Sequence, residues 1–317
     1  MTRPFVSVVI ETITVRFDRG NQALADGLAD TLDALDRQTY PPELIERIVV
    51  LDHKVAGADA DEVCRRYPSV KFLSSLANNY FAAKNAGAAA ASGDIIALVD
   101  SDCVPTPGWL EALLTPFESG AAAVGGRSRY LGSSWAARTF SIPDLAYVLA
   151  EENGAASGFN IHNVAFRREV LLAHPFDTRI RRDGGCYLLF HQLRADGVRV
   201  VHEPRAVAEH RLDFRGFGFA SKHFNRGYDG ALVYRLDDRA VLRGTRLFRR
   251  FGAVALVAIT GRRIAVDWLR LLRHHRQIGI PVVALPYFGV VGAGTRLIEL
   301  AGGLTAIAAR LSRSETS

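Results

Sequence analysis

The sequence predicts an α/β protein. Its main domain is a doubly wound, mostly parallel sheet flanked by helices, and a C-terminal amphipathic helical extension follows. Three observations carry this. Short apolar, partly β-branched runs alternate with helical patterns over residues 6–127, the order that builds a parallel sheet. Two of those runs end abruptly in an acid, Val49-Val50-Leu51-Asp52 and Ile95-Ile96-Ala97-Leu98-Val99-Asp100. Open α/β sheets bind their ligands at such carboxyl ends. After Arg239 the texture changes, and arginines interleave with long aliphatic runs.

The elements follow in order. Val6-Ser7-Val8-Val9-Ile10 reads as a first strand. Leu24, Leu28, Leu32 and Leu35 have helical spacing over 21–37, and Tyr40-Pro41-Pro42 stops that helix. A strand over 47–52, a helix over 59–67 and a short strand over 70–73 come next. An Ala-rich helix over 82–91 closes at Ser92-Gly93, ahead of the strand that ends in Asp100. Residues 109–118 read as a helix and 121–127 as a strand. The stretch 128–210 is more irregular. It holds the polar run Gly158-Phe159-Asn160-Ile161-His162-Asn163, a helix over 187–195, and a strand over 198–202 that leads into Pro204. This divides the chain into a domain over 1–238, with halves 1–127 and 128–238, and a basic tail over 239–317.

Asp100 and Asp102 are the sharpest chemical signal. Two carboxylates at i and i+2 on a chain leaving a strand can turn toward one hard cation, Mg²⁺ or Mn²⁺, which typically bridges nucleotide phosphates. No Gly-x-Gly-x-x-Gly turn follows the first strand and no Walker sequence occurs, so a metal rather than a glycine loop is expected to neutralise phosphate. A nucleotidyltransferase would show a Gly-rich basic loop where Glu11-Thr12-Ile13-Thr14 stands. The cysteines Cys64, Cys103 and Cys186 match no zinc spacing and suit a reducing cytoplasm. Met1-Thr2-Arg3-Pro4 runs straight into the first strand, so no cleaved leader is expected.

The net charge of +6 is unevenly spread: residues 239–317 carry 13 Arg, no Lys and three acids. Their basic groups alternate with aliphatic rather than stacking aromatic residues, which points to an anionic membrane surface and away from nucleic acid. Residues 277–295 hold no formal charge, near the ~20 residues of a spanning helix. Pro281, Pro286 and four glycines within them favour a re-entrant or interfacial element over a regular span.

Taken together, these segments resemble the family 2 glycosyltransferases of GT-A fold over about residues 5–235. Asp100-Ser101-Asp102 followed by Pro105, Pro107, Gly108 and Trp109 matches the family's metal-binding Asp-x-Asp segment. Val49-Val50-Leu51-Asp52, Ala83-Lys84-Asn85-Ala86-Gly87, Gly158-Phe159-Asn160 and the stretch from Pro204 to His210 are similar to its nucleobase, donor-side, acceptor-side and His segments. The resemblance implies a nucleoside-diphosphate sugar donor bound by Glu11, Thr12, Asp52, Lys84, Asp100 and Ser101. It implies a metal at Asp100, Asp102 and His210, and an acceptor side containing Asn160, His162 and Cys186. The expected reaction is inverting transfer to a hydroxyl of a lipid-linked or polysaccharide acceptor, by a cytoplasmic protein peripheral at the inner membrane face. One departure stands out. The family's Glu-Asp pair, whose Asp is the usual general base, is replaced by Gly185-Cys186. Asp183, on a Gly-Gly loop, is the candidate replacement, with His191 or the acceptor itself as alternatives. A non-catalytic nucleotide-sugar-binding protein is the rival reading.

Overall fold

The computed structural model describes residues 3–52, 58–75, 79–131, 139, 154–211 and 218–314. Most of the first part of the irregular 128–210 stretch, and Gly216, lie outside the described residues. The chain divides into two compact units. One comprises Met1–Leu131, Val148–Thr178 and Leu193–Arg211; the other comprises Gly132–Tyr147, Arg179–Gln192 and Leu212–Ser317.

The first unit holds the sheet. Its strands are β1 (Val6–Glu11), β2 (Ile45–Asp52), β3 (Lys71–Ser75), β4 (Ile95–Asp100), β5 (Cys103–Pro105), β6 (Ala123–Tyr130), β7 (Asn163–Arg167) and β8 (Val200–His210), in spatial order β3-β2-β1-β4-β7-β6-β8-β5. The four strands β3-β2-β1-β4 are parallel, and β7 joins β4 antiparallel. Helices α1 (Ile13–Asp36), α2 (Ala58–Arg66), α3 (Tyr80–Ala90) and α4 (Trp109–Glu118) connect the first half. β1 and β4 are buried along their whole length, which explains why they read as continuous apolar runs rather than alternating ones. The Ala-rich composition of α3 permits close packing: a Cβ at Gly87 would stand 2.3 Å from Val9 on β1.

The mixed half of the sheet departs from the expected pattern at Pro204. Pro204 was expected to follow the end of the strand, but β8 continues through it to His210. The ladder with β6 shifts register at this point, from Gly126↔Glu203 to Arg127↔Val207. The bulge accommodates a residue that has no N–H to donate. Asn163 pins it. Its side-chain amide donates to the carbonyls of Arg127 (2.9 Å) and Ala206 (3.1 Å), and its Oδ1 accepts from Trp109 Nε1 (2.8 Å). A Cβ at Gly126 would collide with Asn163 Oδ1 at 2.3 Å, so only glycine fits there.

Two short helices, α5 (Arg168–Ala173) and α6 (Gly185–Ala195), precede β8. The second unit contains α7 (Gly218–Leu236), α8 (Thr245–Ile278, bent at Gly252) and α9 (Leu285–Ser314). The expected interruption over 277–295 is confined to its start. Gly279 in the left-handed region caps α8, and Pro281 lies ahead of a short 3₁₀ turn. Pro286 falls in the first turn of α9, where its missing N–H costs little, and the helix then runs unbroken through Gly289, Gly292 and Gly294. Several glycines serve helix contact. A Cβ at Gly227 of α7 would lie 1.8 Å from the Glu299 carbonyl oxygen, and one at Gly302 of α9 would lie 1.9 Å from that of Phe224. At Gly289 the neighbour is the Trp268 ring. Between these helices Glu299 accepts from His223 Nδ1 (3.0 Å) and Arg296 Nη1 (2.8 Å), and Arg296 Nε donates to Asp267 (2.7 Å).

Candidate active site

Register places three acids at neighbouring strand ends. Glu11 on β1 lies opposite Val50 on β2 and Asp100 on β4, and Asp52 ends β2. All three are buried. Glu11 Oε2 accepts from the Ile13 N–H (2.8 Å), closing the turn into α1. Thr12 Oγ1 accepts from the Asp52 N–H (3.1 Å) and lies 3.2 Å from the Val50 carbonyl oxygen, to which it donates. These residues form a polar floor at the carboxyl ends of β1 and β2.

Asp100 is heavily partnered. Lys84 Nζ, 0% exposed, donates to its Oδ1 at 2.6 Å and to the Val99 carbonyl at 2.8 Å. The Tyr80 hydroxyl lies 2.9 and 3.0 Å from its two oxygens. Burial pushes the Asp100 carboxyl up, but the Lys84 ammonium, with His162 and His210, outweighs it and holds the group below the usual carboxylate range. Lys84 was expected to meet the donor; the structure places its ammonium inside, against Asp100.

Asp102 and His210 come together through β5. In the β5–β8 ladder Cys103 faces His210, so the residue before Cys103 comes within reach of the imidazole. Asp102 Oδ1 lies 3.5 Å from His210 Nε2. The Arg211 N–H donates to the Asp102 carbonyl (3.1 Å), which fixes the end of β8 at this turn. From α1, Thr31 Oγ1 donates to the Cys103 carbonyl (2.8 Å), and Gly27 allows close approach to the Ser101 carbonyl. The ligand atoms of Asp100, Asp102 and His210 all lie within 4.8 Å of one another, a span that fits one divalent cation. Ser101 Oγ is buried and has no hydrogen-bond partner among the described residues.

On the expected acceptor side, Asn160 and His162 are buried, and the His162 ring centroid is 5.2 Å from that of His210. His162 therefore sits with the metal-type cluster. Cys186 is half-buried, the second residue of α6. Asp183 belongs to the second unit, where its N–H donates to Asp229 Oδ2 (3.3 Å) and Arg226 Nε lies 3.5 Å from its Oδ1. Burial and the nearby Asp183 carboxylate push Asp229 up. Tyr80, Cys103, Asn163 and Asp229 escaped the sequence reading. Cys103 adjoins Asp102 in sequence, but the β5–β8 register sets it opposite His210, and only the packing of α3 and α7 brings Tyr80 to Asp100 and Asp229 to Asp183.

A GT-A-like sheet with an acid-and-histidine cluster at its carboxyl edge defines a class of nucleotide-sugar transferase folds. Residues 20–173 match the family model described as Glycosyl transferase family 2. That match places residues 20–173 among the family 2 glycosyltransferases. It is 24% identical over 208 residues to a glucosyl-dolichyl phosphate glucuronosyltransferase of Haloferax volcanii, covering 59% of this chain and 65% of that one. It is 31% identical over 133 residues to glycosyltransferase AglE of the same organism, covering 41% of each. A pre-mycofactocin glycosyltransferase of Mycobacterium tuberculosis is 25% identical over 291 residues, covering 79% of this chain and 57% of that one. The chain thus spans between 41% and 65% of the length of these curated relatives. Among solved structures, a mannosyltransferase from Pyrobaculum calidifontis in complex with GDP-Man and Mn²⁺ superposes with a TM-score of 0.63 at 17% identity, over 97% of this chain and 88% of that one. That likeness shows the fold.

Proposed function

We propose that the protein transfers a sugar, with inversion, from a nucleoside-diphosphate sugar to a hydroxyl of a lipid-linked or polysaccharide acceptor, at the inner face of a membrane. The observation that carries this is the cluster of Asp100, Asp102 and His210 at the carboxyl edge of the sheet. These three residues would hold Mg²⁺ or Mn²⁺, and such a cation offsets the charge of a departing nucleoside diphosphate. Asp52 and Thr12 offer polar groups for the base or ribose, and Glu11 braces the turn they stand on. Lys84 acts one step back, holding Asp100 ionised and oriented. Asp183 is the group assigned to take the acceptor proton, a task that needs a carboxylate or comparable base.

The relatives support the substrate class: one is named for a dolichyl-phosphate-linked sugar, and the solved neighbour binds GDP-Man with Mn²⁺. The basic, apolar helices α8 and α9 supply the face for an anionic membrane.

Titration calorimetry with a panel of nucleoside-diphosphate sugars, with and without Mn²⁺, tests the reading. One donor should bind in a metal-dependent way and Asp102→Ala should abolish that dependence. Equal affinity with and without metal would sink the proposal. Turnover that survives Asp183→Asn would exclude Asp183 as the base.

A further inference from the structure

A second set of metal-type ligands overlaps the first. Cys103, His162 and His210 also bring their ligand atoms within 4.8 Å of one another, and His210 is common to both sets. The two sets differ in chemistry. Asp100 and Asp102 with His210 offer two oxygens and a nitrogen, whereas Cys103, His162 and His210 offer a sulfur and two nitrogens. We propose that Cys103, His162 and His210 form a distinct site for a thiophilic divalent cation of the Zn²⁺ class, and that filling it excludes the hard cation from the neighbouring acids.

The fold builds this set from β5, β8 and the residue that leads into β7. Cys103 on β5 stands opposite His210 on β8, and His162 immediately precedes β7. The His210 Nδ1 lies 3.2 Å from the Arg211 carbonyl oxygen. Donation of Nδ1–H to that carbonyl leaves the Nε2 lone pair for the cluster, and a single lone pair serves a single ion. Thiolate and imidazole ligands select Zn²⁺ over Mg²⁺ and Mn²⁺. Three protein ligands leave a fourth tetrahedral position for water or for Asp102, whose Oδ1 is 3.8 Å from Cys103 Sγ. Binding forms a sulfur–metal bond and releases the thiol proton to solvent. The site rests on this ligand geometry and not on the transferase reading. Its consequence for that reading is inhibition by thiophilic cations.

Co²⁺, a spectroscopic stand-in for Zn²⁺, tests it on the full chain. The expected result is a near-ultraviolet sulfur-to-cobalt charge-transfer band with visible bands of a tetrahedral ion, bleached by one equivalent of Zn²⁺. Cys103→Ala should remove the charge-transfer band while still binding Mn²⁺, followed by electron paramagnetic resonance, which shows that the fold persists. His162→Ala should weaken Co²⁺ binding about tenfold or more. Failure to bind Co²⁺, binding without the charge-transfer band, or a band that persists in Cys103→Ala overturns the proposal. A wild-type protein with the band and no Mn²⁺ binding would leave this site standing and remove the donor-metal site instead.

Discussion

Replacing Lys84 with Met separates structural from donor-binding roles for this residue. The ammonium and the Asp100 carboxylate are 2.6 Å apart and both buried. At an effective dielectric of 20, Coulomb attraction at that distance is about 6 kcal/mol. Much of it offsets the desolvation of both charges, so the net value is smaller, but removing one partner strands the other. Such a loss typically costs about 3–5 kcal/mol. Lys84→Met should therefore lower the unfolding free energy by about that amount, read from urea denaturation without divalent metal. Adding Asp100→Asn should recover part of the loss, because the stranded charge is gone while Tyr80 can still bond the amide. The pH dependence has a definite sign. The folded Asp100 carboxyl is held below its ordinary 3.8, so the pair stabilises fully above that value and loses its contribution as pH falls through and below it. In Lys84→Met, burial acts with less opposition, and the deficit relative to wild type should narrow in acid. A single-mutant cost below about 1 kcal/mol, or a double mutant whose losses simply add, would refute this account of Lys84.

Three further outcomes follow from the same geometry. Glu299→Gln should cost about 3 kcal/mol; burial raises the Glu299 carboxyl, but Arg296 and Arg263 hold it well below 4.5, so the wild-type advantage should fade as pH drops below that value. Gly227→Val should disrupt the α7–α9 crossing, whereas Gly230→Ala on the same helix, with open space around its Cβ position, should be neutral or stabilising by up to about 1 kcal/mol; thermal unfolding of the pair checks both. Asn163→Ala removes two hydrogen bonds at the β8 bulge and a third to Trp109, and should cost about 2–4 kcal/mol, with Mn²⁺ affinity falling because His210 loses its register; unchanged Mn²⁺ binding would separate the bulge from the site.

The parallel half of the sheet was legible because burial on both faces leaves uninterrupted apolar runs, and strand ends carry the acids. Helix α4 was read at its observed bounds, Trp109–Glu118, since Gly108 and Ser119 flank a strong 3.6-residue pattern. Asp100 and Asp102 announce themselves by position. Lys84 did not announce its burial: a lysine in an Ala-rich helix reads as solvated, and only the packing of α3 on β1 shows its ammonium beneath Asp100. The path of β8 was hidden for a similar reason. Proline argues against a continuing strand in one dimension, while the bulge that tolerates it depends on Asn163, 41 residues earlier in the chain. Gly289 in α9 looked like an interruption because the Trp268 ring it makes room for lies on α8.

The orientation of α9 bears on the proposed membrane contact. Its polar and charged residues Thr295 and Glu299 point inward and are buried, and Arg296 pairs with Asp267 and Glu299. Val290 (68% exposed) and Leu297 (56% exposed) point outward, and Val283 (88% exposed) precedes them at the same interval of seven residues, two helical turns. A helix packed for water alone would reverse this pattern. Charges that pair inward beneath apolar residues facing out suit a low-dielectric neighbour, and exposed Arg249, Arg250, Arg273 and Arg276 on α8 would, in the proposed membrane contact, face anionic headgroups. The double substitution Val290→Asp/Leu297→Asp should abolish co-sedimentation with anionic liposomes while leaving the thermal unfolding midpoint within a few degrees. These side chains make little internal contact, so a large fall in that midpoint would mean that they pack against protein. Lipid binding that survives both aspartates would place the membrane contact elsewhere.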